Sequence, residues 1–585
     1  MKRCLLLLAI LSSFQWSWAQ RYVLANANVV DLRQGMILAK KQIVIQGLRI
    51  EAILDEGQTV QGNVERRFDL RGQYVMPPFW DMMTQPSIGR EWHDLMLAQG
   101  ITGTLSYQIN PDSLSRWQEL RKQGRVIPRI LGMASPLDLP TELQSSDAGL
   151  NAWLDYCSNI RQMGYRGIEL PQALSRSAFL TALQASEQSQ LISSAFLPLG
   201  VSLSEASRKG LDICLGMEGL MASSSAKEEY LRDVAWGVRE DSSLFSYSKL
   251  RDFLLESYSP TKSDSITFKI GRSSLALTPL ISEAFNRAQL RDSSFYEEER
   301  ITLIPPTLRK EWYQGRDWSY LSEEFCRAEM DWFELTSQRM GRFEVCDIKI
   351  LPGSGQGMPF HFPGYSYHDE LAFMVEGGMT IRETLRNASV YPINFLGLGQ
   401  DLGSIETGKI ASMVILKRNP LLDIRHTREV EGIVLDGKYI QKLALQVKVA
   451  KIRDRHQRKE IIPILLEAYE KQGVEGLSTR YQSLESEDVF KRNYNFDENS
   501  LRKVGLYLQE EIEDLDAAIE VFQLNAAAYP RSAWVYLNLG RAYAAHDNLQ
   551  LATQNLEKCL QLDPQISEAR TILDRLGEQN DDTDD

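Results

Sequence analysis

Tyr74–Gln85 reads YVMPPFWDMMTQ, and the fold follows from how this stretch is read. Val75 and Met76 end one connection, Pro77 and Pro78 turn the chain, and Phe79 and Trp80 open a buried strand, Phe79–Met83. Downstream, strand-like runs recur at Ile101–Ser106, Val126–Met133, Tyr165–Leu170, Gln190–Phe196, Leu211–Met217, Leu275–Ile281 and Cys346–Leu351. Helical stretches such as Ser113–Gln123 and Arg176–Ser186 separate them. A parallel neighbour is reached only through a crossover, so this alternation implies a parallel α/β sheet. Eight units in about 270 residues suit a closed (β/α)8 TIM barrel. The section from Glu218 to Gly341 is longer than one repeat needs and reads as helices and loops inserted over the barrel mouth.

Upstream, residues 21–73 hold short β patterns at Tyr22–Leu24, Ala27–Val30, Gln42–Ile45, Ile50–Ile53 and Arg67–Leu70, punctuated by turn signals such as Gln46-Gly47 and Arg71-Gly72. Such a sheet cannot close a core alone. A complementary part comes after the barrel, at Gly403–Lys409, Ala411–Leu416 and Glu431–Tyr439. The expectation is a composite β-sandwich built from residues 20–75 and 396–445 around a barrel of residues 76–395.

From residue 446 the chain changes character and reads as helix throughout. Ala518, Phe522 and Pro530 recur as Ala552, Leu556 and Pro564, each 34 residues on, and Leu539, Gly540 and Tyr543 occupy the preceding helix of the second unit. This is similar to the tetratricopeptide repeat, in which small residues let paired helices cross and proline ends the second helix. Gly505 stands one residue off that register, so the upstream repeat is degenerate. Residues 446–585 are therefore expected to form an all-α repeat domain with a concave face for a protein partner, ending in an acidic, disordered tail from Asn580.

The length of 585 residues implies two or three domains. A net charge of −13 with no basic face argues against nucleic acid. Residues 1–19 carry a basic start at Lys2 and Arg3, an apolar core from Cys4 to Leu11 and a small-x-small site at Ser17-Trp18-Ala19; they read as a secretory signal too short to span a bilayer. The mature protein is thus expected to be exported, periplasmic or secreted, and not membrane-spanning. Its thiols, Cys157, Cys214, Cys326, Cys346 and Cys559, have neither metal spacing nor the look of a disulfide framework; a Cys326–Cys346 bridge stays open.

Several stretches resemble the amidohydrolase superfamily, closest to its imidazolonepropionase-like branch. Pro77 and Asp81 match the first barrel strand of that family; the segment GSIETGKIASMVILKRNPL resembles its exit from the barrel; FHFPGYSYHDEL resembles its segment after strand 8. The resemblance implies a metal site at the C-terminal ends of the strands: two histidines after strand 1, a carboxylated lysine or glutamate after strand 4, histidines after strands 5 and 6, and an aspartate after strand 8. One or two divalent ions would activate water there. In this chain those positions fall on Met83, Gln85, Glu169, Phe196, Gly216 and Gly355. A thioether and a neutral amide are poor replacements for imidazole, and Phe196, Gly216 and Gly355 offer no ligand atom. Glu169 alone retains a donor suited to a metal.

A shifted ligand set would draw on His361 or His368 with Glu169, since His426 lies in the return segment, His456 and His546 lie in the helical region, and the remaining histidine, His93, is near the barrel. The plainer reading of these histidines is as hydrogen-bonded surface or loop residues, His368 being typical of the family. Gly353-Ser354-Gly355-Gln356-Gly357 lacks the GK[ST] ending of a phosphate loop, and no nucleophile-elbow serine appears. Asp369 and Glu370 are adjacent, so they point to different faces of a helix and read as a solvated helix start. No catalytic residue, metal or cofactor is therefore expected, and the first functional reading is a catalytically degenerate exported relative acting as a binding or scaffold protein. Such a protein takes a small molecule in the barrel mouth or a protein on the repeats; its oligomeric state stays open. The alternative is an active amidohydrolase or dipeptidase using zinc or another divalent metal through an unorthodox ligand set. A third reading makes the repeats the working part and the barrel a spacer.

Overall fold

The computed structural model describes residues 21–85, 89–135, 139–140, 143, 149–238, 247–292, 299–314, 322–355, 359–486, 494–495 and 498–581. The export segment read at residues 1–19 and the last residues of the acidic tail lie outside this set. The chain divides into two compact units between Ala450 and Lys451.

The first unit opens with β1 (Arg21–Asp31), β2 (Met36–Gln46), β3 (Arg49–Leu54), β4 (Arg66–Asp69) and β5 (Tyr74–Met76). The two short patterns expected at Tyr22–Leu24 and Ala27–Val30 merge into the single strand β1, whose register against β2 shifts between Leu24 and Val29. That irregularity lets one long strand serve two neighbourhoods: β4 pairs beside Tyr22–Ala25, and β5 beside Asn28 and Val29.

Pro77 and Pro78 then separate β5 from β6 (Phe79–Thr84). It is followed by β7 (Ile101–Ser106), β8 (Arg129–Ala134), β9 (Gly167–Leu170), β10 (Ile192–Phe196), β11 (Ile213–Leu215), β12 (Ala276–Thr278) and β13 (Lys349–Ile350). One strand forms at each expected run, β6 and β8 extending one residue past theirs. They lie parallel and in sequence order across one sheet, as strand–helix–strand crossovers require. The Met82 N–H donates to the Pro352 carbonyl at 2.9 Å, and the Gly355 N–H to the Met83 carbonyl at 3.1 Å. These bonds bring the first strand against the segment leaving the last, so the sheet curls as in a TIM-like fold. Three apolar runs outlast their strands because the chain stays buried beyond them, as at Met217, Leu280 and Leu351.

Inside the curl, Trp80, Met82, Leu105, Met133, Ile213, Leu215 and Leu351 form one apolar cluster. A larger cluster lies between strands and helices, and includes Phe79, Trp153, Phe179, Phe343 and Leu385. Besides β12, the described residues between β11 and β13 form helices that include Glu218–Ser224, Tyr247–Glu256, Pro260–Ile270, Ile281–Ala288 and Glu323–Ser337. Leu290, Ile304 and Trp312 from it pack with Phe360 and Phe362, which follow β13.

After the helices Tyr365–Glu376 and Ile381–Phe395, the chain returns to the first sheet as β14 (Met413–Leu416), β15 (Val430–Leu435) and β16 (Lys438–Gln441). Because β14 pairs antiparallel with β5, both flanks of the barrel share one mixed sheet, ordered β16-β15-β14-β5-β1-β2-β3 with β4 on β1. Cys326 and Cys346 are free thiols, as are the buried Cys157, Cys214 and Cys559.

The described residues of the second unit are mostly helical, with one two-residue strand pair. Its helices include Glu498–Glu510, Leu515–Ala528, Ala533–Ala545, Leu549–Leu562 and Ser567–Asp581. Ala518, Phe522, Ala552 and Leu556 sit in one core. A Cβ at Gly540 would lie 2.7 Å from the Leu556 side chain, and one at Gly505 would run into the Phe522 ring. Gly505 thus allows the same close helix approach as Gly540 despite its offset register. Among the described residues, no helix of the chain is long and apolar enough to cross a membrane.

Candidate functional site

The six positions singled out by sequence fall where expected along their strands. Met83 is the penultimate residue of β6 and Gln85 lies just beyond the strand; Glu169 is in β9; Phe196 ends β10; Gly216 follows β11; Gly355 follows β13. All belong to the C-terminal end of the parallel sheet, where barrel loops can converge.

Met83 is buried in the interior apolar cluster, and Phe196 packs against that cluster. Gly216 has a left-handed backbone with φ +66°. A Cβ there would collide with Glu218 Oε2 and approach the Phe196 ring to 3.2 Å. The space a ligand side chain would need is therefore held by a phenyl ring and a carboxylate. The carboxylate is itself tethered, because buried Arg251 donates to Glu218 Oε1 at 2.9 Å and to Glu329 Oε2 at 3.0 Å. Arg251 also stacks on Trp332, with its guanidinium carbon 4.3 Å from the ring centroid. Burial lifts Glu329 to about 7 even beside this guanidinium.

Glu169 is 8% exposed, and its Oε2 meets no hydrogen-bond partner among the described residues. Burial alone raises its carboxyl to about 7. Near it the Tyr107 hydroxyl is pushed upward, first by burial and then by the Glu169 charge. Asp81, fully buried in β6, accepts from the Met83 N–H at 3.2 Å and the Ser354 N–H at 2.9 Å. Its carboxyl thus holds the first strand to the loop after the last, and burial raises it to about 7. Thr84, Thr104 and Ser106 add a chain of buried hydroxyls on β6 and β7, with Oγ1–Oγ1 2.7 Å and Oγ1–Oγ 3.3 Å.

The residues do not fit a divalent ion. Around Glu169 the matching positions supply a buried thioether, a neutral amide, a phenyl ring and two glycines. Among the described residues, no three His, Cys, Asp or Glu side chains come together as a ligand group.

The histidines weighed as substitutes are committed elsewhere. All three are buried, so none is a surface group; His361 is a hydrogen-bonded loop residue, while His93 and His368 lie on helices. His361 Nδ1 is 3.0 Å from the Pro359 carbonyl and its Nε2 is 3.4 Å from Asn286 Nδ2. His368 lies between Thr427 Oγ1 and the Gln99 carbonyl, both at 3.0 Å. His93 stacks edge-on against Trp117 with ring centroids 4.6 Å apart. Burial lowers all three to about 4, so they are neutral at physiological pH.

Glu370 corrects a second expectation. It is fully buried, and accepts from the Ile281 N–H at 2.9 Å and the Ser282 N–H at 2.8 Å, capping the helix Ile281–Ala288. Its neighbour Asp369 pairs with Arg300 at 2.6 Å and Arg428 at 2.8 Å. Sequence reasoning also missed Arg251 and Glu329, because nothing short-range marks two helical residues 78 positions apart as partners. Glu218, directly after Met217 at the end of β11, was the available signal.

An amidohydrolase family description matches residues 356–440, which cover the helices after β13 and the return strands but none of β6 to β13. No curated protein matches the chain. Among solved structures, a bottromycin amidohydrolase is similar in fold, with a TM-score of 0.59 and 15% identity over 74% of this chain and 91% of that one. A Xaa-Pro dipeptidase, solved with methionine bound in its active site, has a TM-score of 0.50 and 15% identity over 72% of this chain and all of its own. At such identities these likenesses speak to the fold.

Proposed function

We propose that this chain is an exported, catalytically silent relative of the amidohydrolases that works as a binding or scaffold protein. The supporting observation is the state of the barrel mouth. Where the family resemblance calls for imidazoles and an acid, the chain has Met83, Gln85, Phe196, Gly216 and Gly355, and the Gly216 space is filled by Phe196 and a tethered Glu218. Without a metal ion or a base held against it, water is not deprotonated at neutral pH. In this reading Met83, Gln85, Glu169, Phe196, Gly216 and Gly355 line an apolar pocket or packed surface. The shared flanking sheet forms a composite β-sandwich, and the helical unit is a tetratricopeptide-like array offering its concave face to a protein partner.

Metal content and turnover test the proposal. The mature full-length protein is purified and its zinc, manganese and iron are measured. It is then assayed on Xaa-Pro and other dipeptides and on cyclic amides, with and without added metal. Substoichiometric metal and no metal-dependent turnover are expected. One tightly held ion per chain with hydrolysis that a chelator abolishes would overturn it. Removing residues 446–585 should abolish capture of any cellular protein partner while the barrel stays folded.

A further inference from the structure

We propose that a cavity at the opposite end of the barrel binds an organic anion, a carboxylate or phosphate carried on a flat apolar body. The cavity measures about 610 Å³ and is walled by β1 and β4, the Gly47-Leu48 turn, the helix Pro111–Lys122, the start of β8 and the Leu435–Tyr439 turn. That volume is in the range of small-molecule sites. Because its β8 residues begin at Arg129, it opens at the N-terminal end of the strands, away from Glu169 and Gly216.

Its charge runs against that of the chain. Seven lining residues are Lys or Arg and two are acidic, in a protein of net charge −13. Some of this charge is already answered. Arg21 makes a two-pronged pair with Glu51 at 2.7 and 2.8 Å, and Lys438 Nζ donates to the Gly124 carbonyl at 2.5 Å. The rest is not. Asp436 is shared between Arg121, which it pairs with closely, and Arg129 at 3.7 Å. Arg66 and Arg125 make no ion pair among the described residues. One carboxylate thus faces two guanidiniums, with two more exposed nearby. Burial pulls Arg121 down to about 10, with Asp436 acting to raise it and Arg129 to lower it. An anion entering would pair with guanidiniums that share the single Asp436 carboxylate or have no ion pair among the described residues, and a guanidinium fork suits the paired oxygens of carboxylate and phosphate.

The lining is also aromatic. Phe68 stands edge-on to Tyr439 at 5.0 Å and to Tyr22 at 5.8 Å, and the Tyr22 hydroxyl is held by the Gly437 carbonyl at 2.9 Å. Trp117 completes the lining. Rings and guanidiniums in one lining fit a ligand with an apolar body and an anionic end, which the apolar, carboxylate-bearing barrel mouth would reject. The site does not depend on whether the mouth is silent.

Calorimetric titration of the mature full-length protein tests the assignment, using phenyl phosphate, phenylacetate and the neutral benzyl alcohol as probes. At least one anion is expected to bind one equivalent with a Kd below about 1 mM, and benzyl alcohol at least about tenfold more weakly. The Arg66→Ala/Arg125→Ala variant, altered only at exposed side chains, should lose at least about tenfold in anion affinity with an unchanged circular dichroism melt. The outcome that separates phosphate from carboxylate recognition is which of the two anions binds more tightly. Absence of binding below about 1 mM by both anions, equal affinity for benzyl alcohol, or full affinity in the variant would overturn the proposal.

Discussion

Glu169→Gln separates a silent barrel mouth from a metal-holding one through stability alone. Glu169 is 8% exposed, has no partner at Oε2 among the described residues, and is raised by burial to about 7 in the fold against an ordinary 4.5. A carboxyl raised in the folded state binds more protons folded than unfolded. Its contribution is fully present below about 4.5 and is lost as pH rises through about 7. The gap of about 2.5 units corresponds to roughly 3 kcal/mol, most of it lost by neutral pH. Glutamine keeps the shape and never ionises. The variant should therefore match the parent near pH 4 and exceed it by roughly 3 kcal/mol at pH 8. Urea unfolding followed by tryptophan fluorescence at both pH values, with and without a chelator, measures the difference. A Glu169 that ligates an ion would behave oppositely: the variant would be less stable at pH 8, and chelator would weaken only the parent. That result would refute both the protonation argument and the silent-mouth reading.

Restoring Met83→His and Gln85→His together should yield no zinc-dependent hydrolysis of dipeptides, because Phe196, Gly216 and Gly355 still lack donors; turnover above the parent would contradict this. The same change should cost about 1–3 kcal/mol in urea unfolding, since one imidazole enters the apolar cluster around Met83. Gly216→Ala should cost about 1–3 kcal/mol, as it forces a Cβ into a left-handed backbone beside Phe196 and a Glu218 tied to Arg251; an unchanged urea midpoint would mean the mouth is loosely packed. Tyr367→Phe removes a buried hydroxyl lying 2.9 Å from the Trp80 carbonyl and 3.0 Å from that of Ala388. A loss of about 1–3 kcal/mol is expected, read from the same unfolding curves.

Local patterns determined much of this chain. Phe79–Met83 and seven later runs announced a parallel sheet, because strands reached by helical crossovers leave a repeating apolar signature that needs no partner to be seen. The 34-residue recurrence of Ala518 and Phe522 at Ala552 and Leu556 likewise marked packed helix pairs, and motif spacing placed Met83, Glu169, Phe196 and Gly216 at the strand ends. Tertiary structure decided everything that depends on who stands opposite. Only packing shows that Glu370 caps a helix 88 residues away, that His368 is spent on Gln99 and Thr427, and that Arg251 holds Glu218 in the Gly216 space. The crowded guanidiniums of Arg121 and Arg129 around Asp436 are of the same kind. Burial and pairing set the cost and the charge of an ionisable group, and both are properties of the space around it, which sequence neighbours do not define.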